Sequence, residues 1–111
     1  MAMKSPLDQA AADLIARRFR ALADPTRLRI LDVLRERGEA PVGELSAALG
    51  GSQQNVSKHL AALHIEGFVA RRKEGTRALY RISDPAVLEL CERVCAGLET
   101  QLAELEAALS N

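Results

Sequence analysis

Two short helical segments joined by Gly50-Gly51 constrain the fold of this 111-residue chain more than any other feature. The first covers about residues 42–49. The second begins after Ser52, a good N-cap residue, and ends near Gly67, which suits a helix C-terminus. Apolar residues at helical spacing give both segments an inward face: Leu45, Leu49, Val56, Leu60 and Leu63. A short helix, a glycine turn and a second helix form a helix-turn-helix unit, here over about residues 42–67.

The rest of the chain predicts a mainly α single domain, residues 1–111, with one small β-hairpin. Asp24-Pro25 is a helix start signal, because Asp caps a helix and Pro fits its first position. Beyond Gly67 the pattern changes from helical to alternating, which predicts two strands. The further elements are expected as helices over about 7–23, from Pro25 to Gly38 and over about 85–109, with strands at 68–73 and 77–82 forming a wing over about 68–82. The order α-α-α-α-β-β-α is that of a winged helix-turn-helix.

The first turn of the fourth helix carries an unusual set of neutral hydrogen-bonding side chains. Amide side chains present a donor and an acceptor together, which matches an adenine edge, and Ser and Lys also contact bases. In a helix-turn-helix, the N-terminal residues of the second helix face base edges in the major groove of DNA. The sequence therefore predicts double-stranded DNA as a partner, contacted by Gln53, Gln54, Asn55, Ser57, Lys58 and His59.

The predicted hairpin is basic, and it follows the fourth helix directly. Arginine and lysine side chains supply the phosphate contacts that give a DNA-binding protein its affinity and register. Four side chains are expected to make such contacts: Arg71, Arg72, Lys73 and Arg77. An alternative is that the arginines keep an exposed hairpin edge soluble while the amides cap a helix. The occurrence of both features in this order and spacing favours DNA binding.

The charge of the chain is divided between its two parts, although the formal net charge is zero. Residues 1–83 hold 14 Lys and Arg against 9 Asp and Glu, a net charge of +5. Residues 84–111 hold one Arg against 6 Asp and Glu, a net charge of −5. This division predicts a basic working surface and an acidic remainder.

Several function classes are disfavoured by the sequence. It contains no nucleophile–base pairing, phosphate loop or metal cluster, so we expect no enzyme. No apolar run approaches the roughly 18 residues that span a bilayer, and the segment MAMKSPLDQ lacks the apolar part of a signal peptide. We therefore expect a cytoplasmic protein without a membrane partner. The alternative to a DNA-binding regulator is an interaction module whose acidic last helix binds a partner protein.

Three stretches together resemble the ArsR/SmtB winged helix-turn-helix repressors: ALADPTRLRILDVL (residues 21–34), SQQNVSKHLAAL (52–63) and EGFVARRKEGTRALYRI (66–82). The resemblance covers nearly the whole chain in element order and size. It implies a homodimeric bacterial transcription regulator, usually a repressor that a metal, metalloid or redox signal releases from its operator. It also implies base contacts by Gln53, Gln54, Ser57 and Lys58, whereas His59 is a weaker match.

The inducer sites of that family are where the sequence departs from the pattern. The arsenic- and cadmium-type site uses Cys-x-Cys beside the third helix, where this chain has Pro41 and Gly43. The zinc-type site begins with Asp-x-His in the last helix, where this chain reads Asp84-Pro85-Ala86. His59 and His64 are five residues apart on one helix, a spacing that directs them away from a common ion. Neither usual site is therefore expected.

Cys91 and Cys95 are the remaining candidates for a sensor. They lie in a seam of the last helix with alternating spacings of three and four residues: Leu88, Cys91, Cys95, Leu98, Leu102, Leu105 and Leu109. Such a seam predicts packing against another helix, and we expect a homodimer through this helix and the helix at 7–23. Two interpretations stay open for the cysteines. They are buried apolar residues, or they bind a thiophilic ion such as As(III) or Cd²⁺, or respond to oxidation. No cofactor is certain.

Overall fold

The structure, a computed structural model, describes residues 5–110. Residues 1–4 and 111, the two ends of the domain expected over 1–111, lie outside the described residues. The elements are α1 (Gln9–Leu22), α2 (Pro25–Arg37), β1 (Glu39–Pro41), α3 (Val42–Leu49), α4 (Gln53–Ile65), β2 (Val69–Glu74), β3 (Arg77–Ile82) and α5 (Ala86–Leu109). The expected helices and the hairpin occur in the expected order, and the structure adds β1.

Local sequence signals account for where the helices begin and end. Asp24 Oδ1 accepts a hydrogen bond from the Arg27 backbone N–H at 3.1 Å, which caps α2. Ser52 Oγ accepts one from the Asn55 backbone N–H at 3.1 Å and caps α4 in the same way. At the other end of α4, Gly67 has a φ of 78°, which lets the chain turn sharply from the helix into the hairpin. These caps fix both ends of the second helix of the helix-turn-helix.

A three-stranded antiparallel sheet has the order β1-β3-β2. The expected hairpin forms its two longer strands, joined by a tight turn at Gly75-Thr76, where Gly75 has a φ of 63°. The sequence gives no signal for a strand at β1, and the structure adds one there. Ala40 pairs there with Tyr80 of β3. A three-residue strand is too short to show alternation, and its pairing is not local.

The core lies between α2, α3, α4 and the inner face of the sheet. The apolar faces of α2, α3 and α4 meet there, and the largest fully buried side chains are Ile30, Leu31, Leu34, Leu45, Val56, Leu60, Leu63 and Val69. Leu28 of α2 does not join this core and remains exposed. The packing of α3 and α4 into this core leaves the first turn of α4 at the molecular surface.

Polar contacts join α1 to the end of α4. The Glu66 side chain is only 5 % exposed, and its Oε1 accepts a hydrogen bond from Arg17 Nε at 2.8 Å. Arg18 donates to the Glu66 backbone carbonyl at 2.7 Å and lies 4.6 Å above the centre of the Phe68 ring. It also forms a 3.3 Å ion pair with Asp84, just before α5. The arginines of α1 therefore connect α4, the hairpin and the start of α5.

The last helix, α5, extends away from this core. Val87 in its first turn is buried, whereas the leucines of its distal half are exposed: Leu98, Leu102, Leu105 and Leu109. The radius of gyration is 16.9 Å, compared with about 13 Å for a compact domain of this length. The long apolar face of α5 is thus largely unpacked within one chain.

Candidate nucleic-acid interface

The first two turns of α4 expose a polar face. A rotation of about 100° per residue places Gln53, Gln54, Ser57 and Lys58 within an arc of about 140°, on the side opposite the buried Val56. All four side chains are exposed, as is Asn55, which lies about 60° beyond this arc. The arrangement offers donors and acceptors in one direction, as a helix that reads base edges requires.

His59 is positioned differently from these five residues. Its side chain is only 12 % exposed, and its Nδ1 accepts a hydrogen bond from Arg27 Nε at 3.1 Å. Asp24 Oδ1 lies 3.9 Å from the same nitrogen, too far for a hydrogen bond. The sequence groups His59 with the exposed row, but the structure turns its Nδ1 toward the N-terminus of α2.

Arg72 on the hairpin is held by carboxylates. Its Nε and Nη2 donate to the two carboxylate oxygens of Glu39 at 2.8 and 2.7 Å, a two-point contact between β2 and β1. Arg72 Nη2 also lies 3.2 Å from Glu74, which in turn lies 3.5 Å from Arg77. The hydrogen bonds from Arg72 hold the pKa of Glu39 below its usual value. Two of the three arginines that the sequence assigns to phosphate contacts, Arg72 and Arg77, are thus paired with glutamate here.

Arg71 and Lys73 occupy the other face of β2, since alternate residues of a strand point to opposite sides. That face includes the buried Val69 and therefore turns toward the helices, but the two basic side chains lie beyond the core and are exposed. Across residues 5–110, no carboxylate forms an ion pair with either of them. Of the four basic wing residues, these two have charges that remain available to a phosphate.

Comparison with known proteins places these features in a family. A helix-turn-helix domain family matches residues 22–72. The "probable mercury resistance operon repressor" of Streptomyces lividans is 45 % identical over 78 residues, which are 70 % of this chain and 62 % of that protein. The chain spans between 49 % and 63 % of the length of the first curated relatives it matches.

Solved structures also match over most of the chain. The homodimeric winged helix-turn-helix domain of Mb0332 from Mycobacterium bovis, described as a possible ArsR-family transcriptional regulator, has a TM-score of 0.73 and 38 % identity. The match covers 89 % of this chain and 91 % of that one. The chain belongs to the ArsR family. The antimony-specific transcriptional repressor AntR also has this fold, with a TM-score of 0.76, 31 % identity and 93 % coverage of both chains. The expected winged helix-turn-helix fold is thereby confirmed.

The ArsR-family chain has two apolar grooves on either side of Phe19, each of about 380 Å³. One runs between α1 and the start of α5 and has Arg18 and Asp84 at its margin. The other is bounded by α1, α2 and α5 and includes the exposed Leu28 and Leu98. Together with the distal leucines of α5, they form a continuous apolar surface on the α1/α5 side of the protein. Within the described residues, no helix is both long and apolar enough to cross a membrane.

Cys91 and Cys95 both line the second groove. Cys91 is partly buried, and this burial raises the pKa of its thiol. Cys95 is exposed, and its Sγ lies 3.8 Å from Glu99 Oε1. Within residues 5–110, no group of three or more His, Cys, Asp or Glu side chains is arranged to hold a metal ion. A single chain therefore offers two thiols and a nearby carboxylate, but not a complete site.

Two contacts of the candidate site have no signal in the sequence. The sequence does not predict Glu39 as the partner of Arg72, because Glu39 lies 33 residues away in a strand that has no sequence signal. Arg27 lies within the DPTR segment, 32 residues before His59, and its charge alone gives no sign of this contact. Both pairs depend on tertiary packing, for which the chain contains no local signal.

Proposed function

We propose that this ArsR-family protein is a cytoplasmic homodimeric transcriptional repressor that binds double-stranded DNA at an inverted repeat. The observation that carries the proposal is the exposed row at the start of α4. It presents amides, a hydroxyl and an ammonium group in one direction, while the opposite side of the same helix is fixed in the core. A helix that is anchored in the core on one side and exposes polar side chains on the other is suited to the major groove.

The exposed row supplies base contacts, and the wing supplies phosphate contacts. Gln53 and Gln54 present amides that match adenine, and Lys58 presents a donor for guanine. Arg71 and Lys73 are the wing residues best suited to the backbone, because their charges are not neutralised by the neighbouring glutamates. Arg72 serves the wing differently, by holding β2 against β1 through Glu39. This division revises the sequence-based expectation that all four basic residues contact phosphate.

The dimer uses α1 and α5 in this proposal. The distal half of α5 exposes leucines along the seam, and α1 exposes Phe19, which lines a groove shared with α5. A two-fold axis through this surface would bury the same residues from both protomers. It would also present two α4 helices to one side of a duplex, which explains why an inverted repeat is the expected site.

Binding to the DNA upstream of the gene for this protein tests the proposal against the interaction-module alternative. We expect a specific complex whose affinity falls steeply as salt rises, because phosphate contacts release counterions. An interaction module would bind a partner protein through the apolar α5 surface, and that binding would change little with salt. Failure to bind this DNA or an inverted-repeat library above random DNA would contradict the repressor assignment.

We further propose that a thiophilic ion or an oxidant releases the repressor through Cys91 and Cys95. Their shared groove and the exposure of Cys95 support this, as does the resemblance to repressors named for mercury and antimony. The raised pKa of Cys91 opposes it, because binding must first displace the thiol proton. A third ligand would come from the partner protomer or solvent, since one chain lacks it.

A Cys91→Ser/Cys95→Ser variant tests the sensor. It is expected to keep wild-type affinity for the operator and to lose release by As(III), Cd²⁺ or peroxide, measured by titration of a preformed complex. Release of the double variant at the wild-type concentration of these agents would exclude the cysteines. An unresponsive wild-type protein would favour the alternative of a winged helix-turn-helix without a sensor site of its own, which a partner protein regulates.

A further inference from the structure

Arg27 makes three contacts, which reach the end of α1, the start of α2 and the middle of α4. Its backbone N–H donates to Asp24, which caps α2. Its Nη1 donates to the Ala21 backbone carbonyl at the end of α1, at 3.2 Å, and its Nε donates to His59 Nδ1 at 3.1 Å. Arg27 at the start of α2 therefore connects the end of α1 to the middle of α4 through one guanidinium.

The hydrogen bond from Arg27 Nε determines which nitrogen of the His59 imidazole carries the ring proton. A guanidinium has donors and no acceptor, so His59 Nδ1 must be the acceptor and the ring proton must lie on Nε2. The imidazole is mostly covered, with only 12 % of its side chain exposed. Loss of the acceptor would leave a partly buried Arg27 N–H without its partner, which costs free energy unless the helix shifts.

We propose that His59 is a positioning residue, whose Nδ1 accepts from Arg27 and fixes the rotation of α4 relative to α1 and α2. It orients the exposed row formed by Gln53, Gln54, Ser57 and Lys58 and does not itself contact DNA. The position of His59 on α4 supports this, because it directly follows Lys58 and lies within two turns of every residue of the row. A small rotation of the helix at His59 would therefore displace every side chain of the row. The proposal rests on the proposed DNA-binding function and assigns a role within it.

Two substitutions separate the two nitrogens of the imidazole. His59→Asn keeps an acceptor close to the position of Nδ1 and removes the group at Nε2. His59→Gln keeps a polar group close to the position of Nε2 and removes the acceptor at Nδ1. We expect the Asn variant to bind the operator within about twofold of wild type, and the Gln variant to bind roughly tenfold more weakly, a loss of about 1.4 kcal/mol.

The salt dependence of binding gives a second readout. Because His59 makes no phosphate contact in this proposal, the slope of affinity against salt should be unchanged in both variants. Arg27→Lys keeps the charge but cannot hold His59 and the Ala21 carbonyl with one fork, so it should weaken binding as His59→Gln does. The double variant Arg27→Lys/His59→Gln should bind the operator only slightly more weakly than either single variant, since both substitutions remove the same contact. Thermal unfolding of each variant checks that the fold is retained.

Other outcomes overturn the proposal. Retained binding by His59→Gln with loss in His59→Asn would mean that Nε2 contacts DNA. Equal binding by both variants, whether strong or weak, would mean that the acceptor at Nδ1 does not set the orientation of α4. Additive losses for Arg27→Lys and His59→Gln would show that the two residues act separately. If the wild-type protein binds no DNA at all, the proposed DNA-binding function is wrong. This outcome is distinct from those that contradict only the positioning role of His59.

Discussion

Replacement of Leu98 and Leu102 by Glu should convert the dimer into monomers. These side chains are 54 % and 56 % exposed in one chain. Full burial of a Leu side chain contributes about 1.5–3 kcal/mol, so covering the exposed half contributes about 1 kcal/mol. A two-fold interface contains each residue twice, giving about 4 kcal/mol in total, or roughly a thousandfold in the dissociation constant. The four carboxylates would add repulsion at the axis.

Sedimentation velocity over a range of protein concentrations measures this change. The matched control is Ala103→Glu/Ala107→Glu, which adds the same charge at the same four-residue spacing. These alanines lie on the opposite side of α5, by its rotation of about 100° per residue, and both are exposed. We expect the control to stay dimeric. A Leu98→Glu/Leu102→Glu protein that dimerises like wild type would refute this interface.

The wing and the acid stability give two further predictions. Arg71→Ala should lower the slope of log affinity against log salt by about one unit. Arg72→Ala, which breaks the pair with Glu39, should lower this slope by less. Anisotropy titrations at several salt concentrations compare the two variants, and equal slopes would contradict the assignment of phosphate contacts to Arg71 and not to Arg72. The hydrogen bond from the Arg27 backbone N–H holds the pKa of Asp24 below its usual 3.8. The ionised Asp24 side chain therefore stabilises the fold above its usual pKa, and this stabilisation is lost as the pH falls through the lowered pKa. Asp24→Asn keeps a cap acceptor that does not titrate, so its thermal stability should fall less than that of wild type between about pH 5 and pH 2. Parallel acid profiles would refute this.

The parts of the fold that were predicted correctly depend on local signals. Ser52 and Gly67 delimit α4 in the structure as the sequence indicates, because caps act within one helical turn. Gly75 marks the hairpin turn for the same reason. The seam of α5 could also be predicted, since the spacing of apolar residues along one face of a helix does not depend on its packing partner. The exposure of the seam leucines in one chain agrees with packing against a second chain, although the dimer itself stays a prediction.

The candidate site was predicted only in part, because the missing contacts are distant in sequence. The exposed row of α4 follows from helical spacing and burial alone. The orientation of His59 depends on Arg27, 32 residues earlier, and the pairing of Arg72 depends on Glu39, 33 residues earlier. Residue type and spacing cannot separate a basic side chain that contacts DNA from one that holds a strand in place.

The most direct test of sequence-specific DNA recognition compares Gln54→Ala with wild type on the operator and on random duplex DNA. Loss of a bidentate base contact should cost about 1–3 kcal/mol on the operator and little on random DNA. Gln101→Ala, a change of the same kind at an exposed position of α5, should alter neither affinity. Equal weakening of Gln54→Ala on both DNAs, or no weakening on either, would contradict the claim that α4 reads base edges.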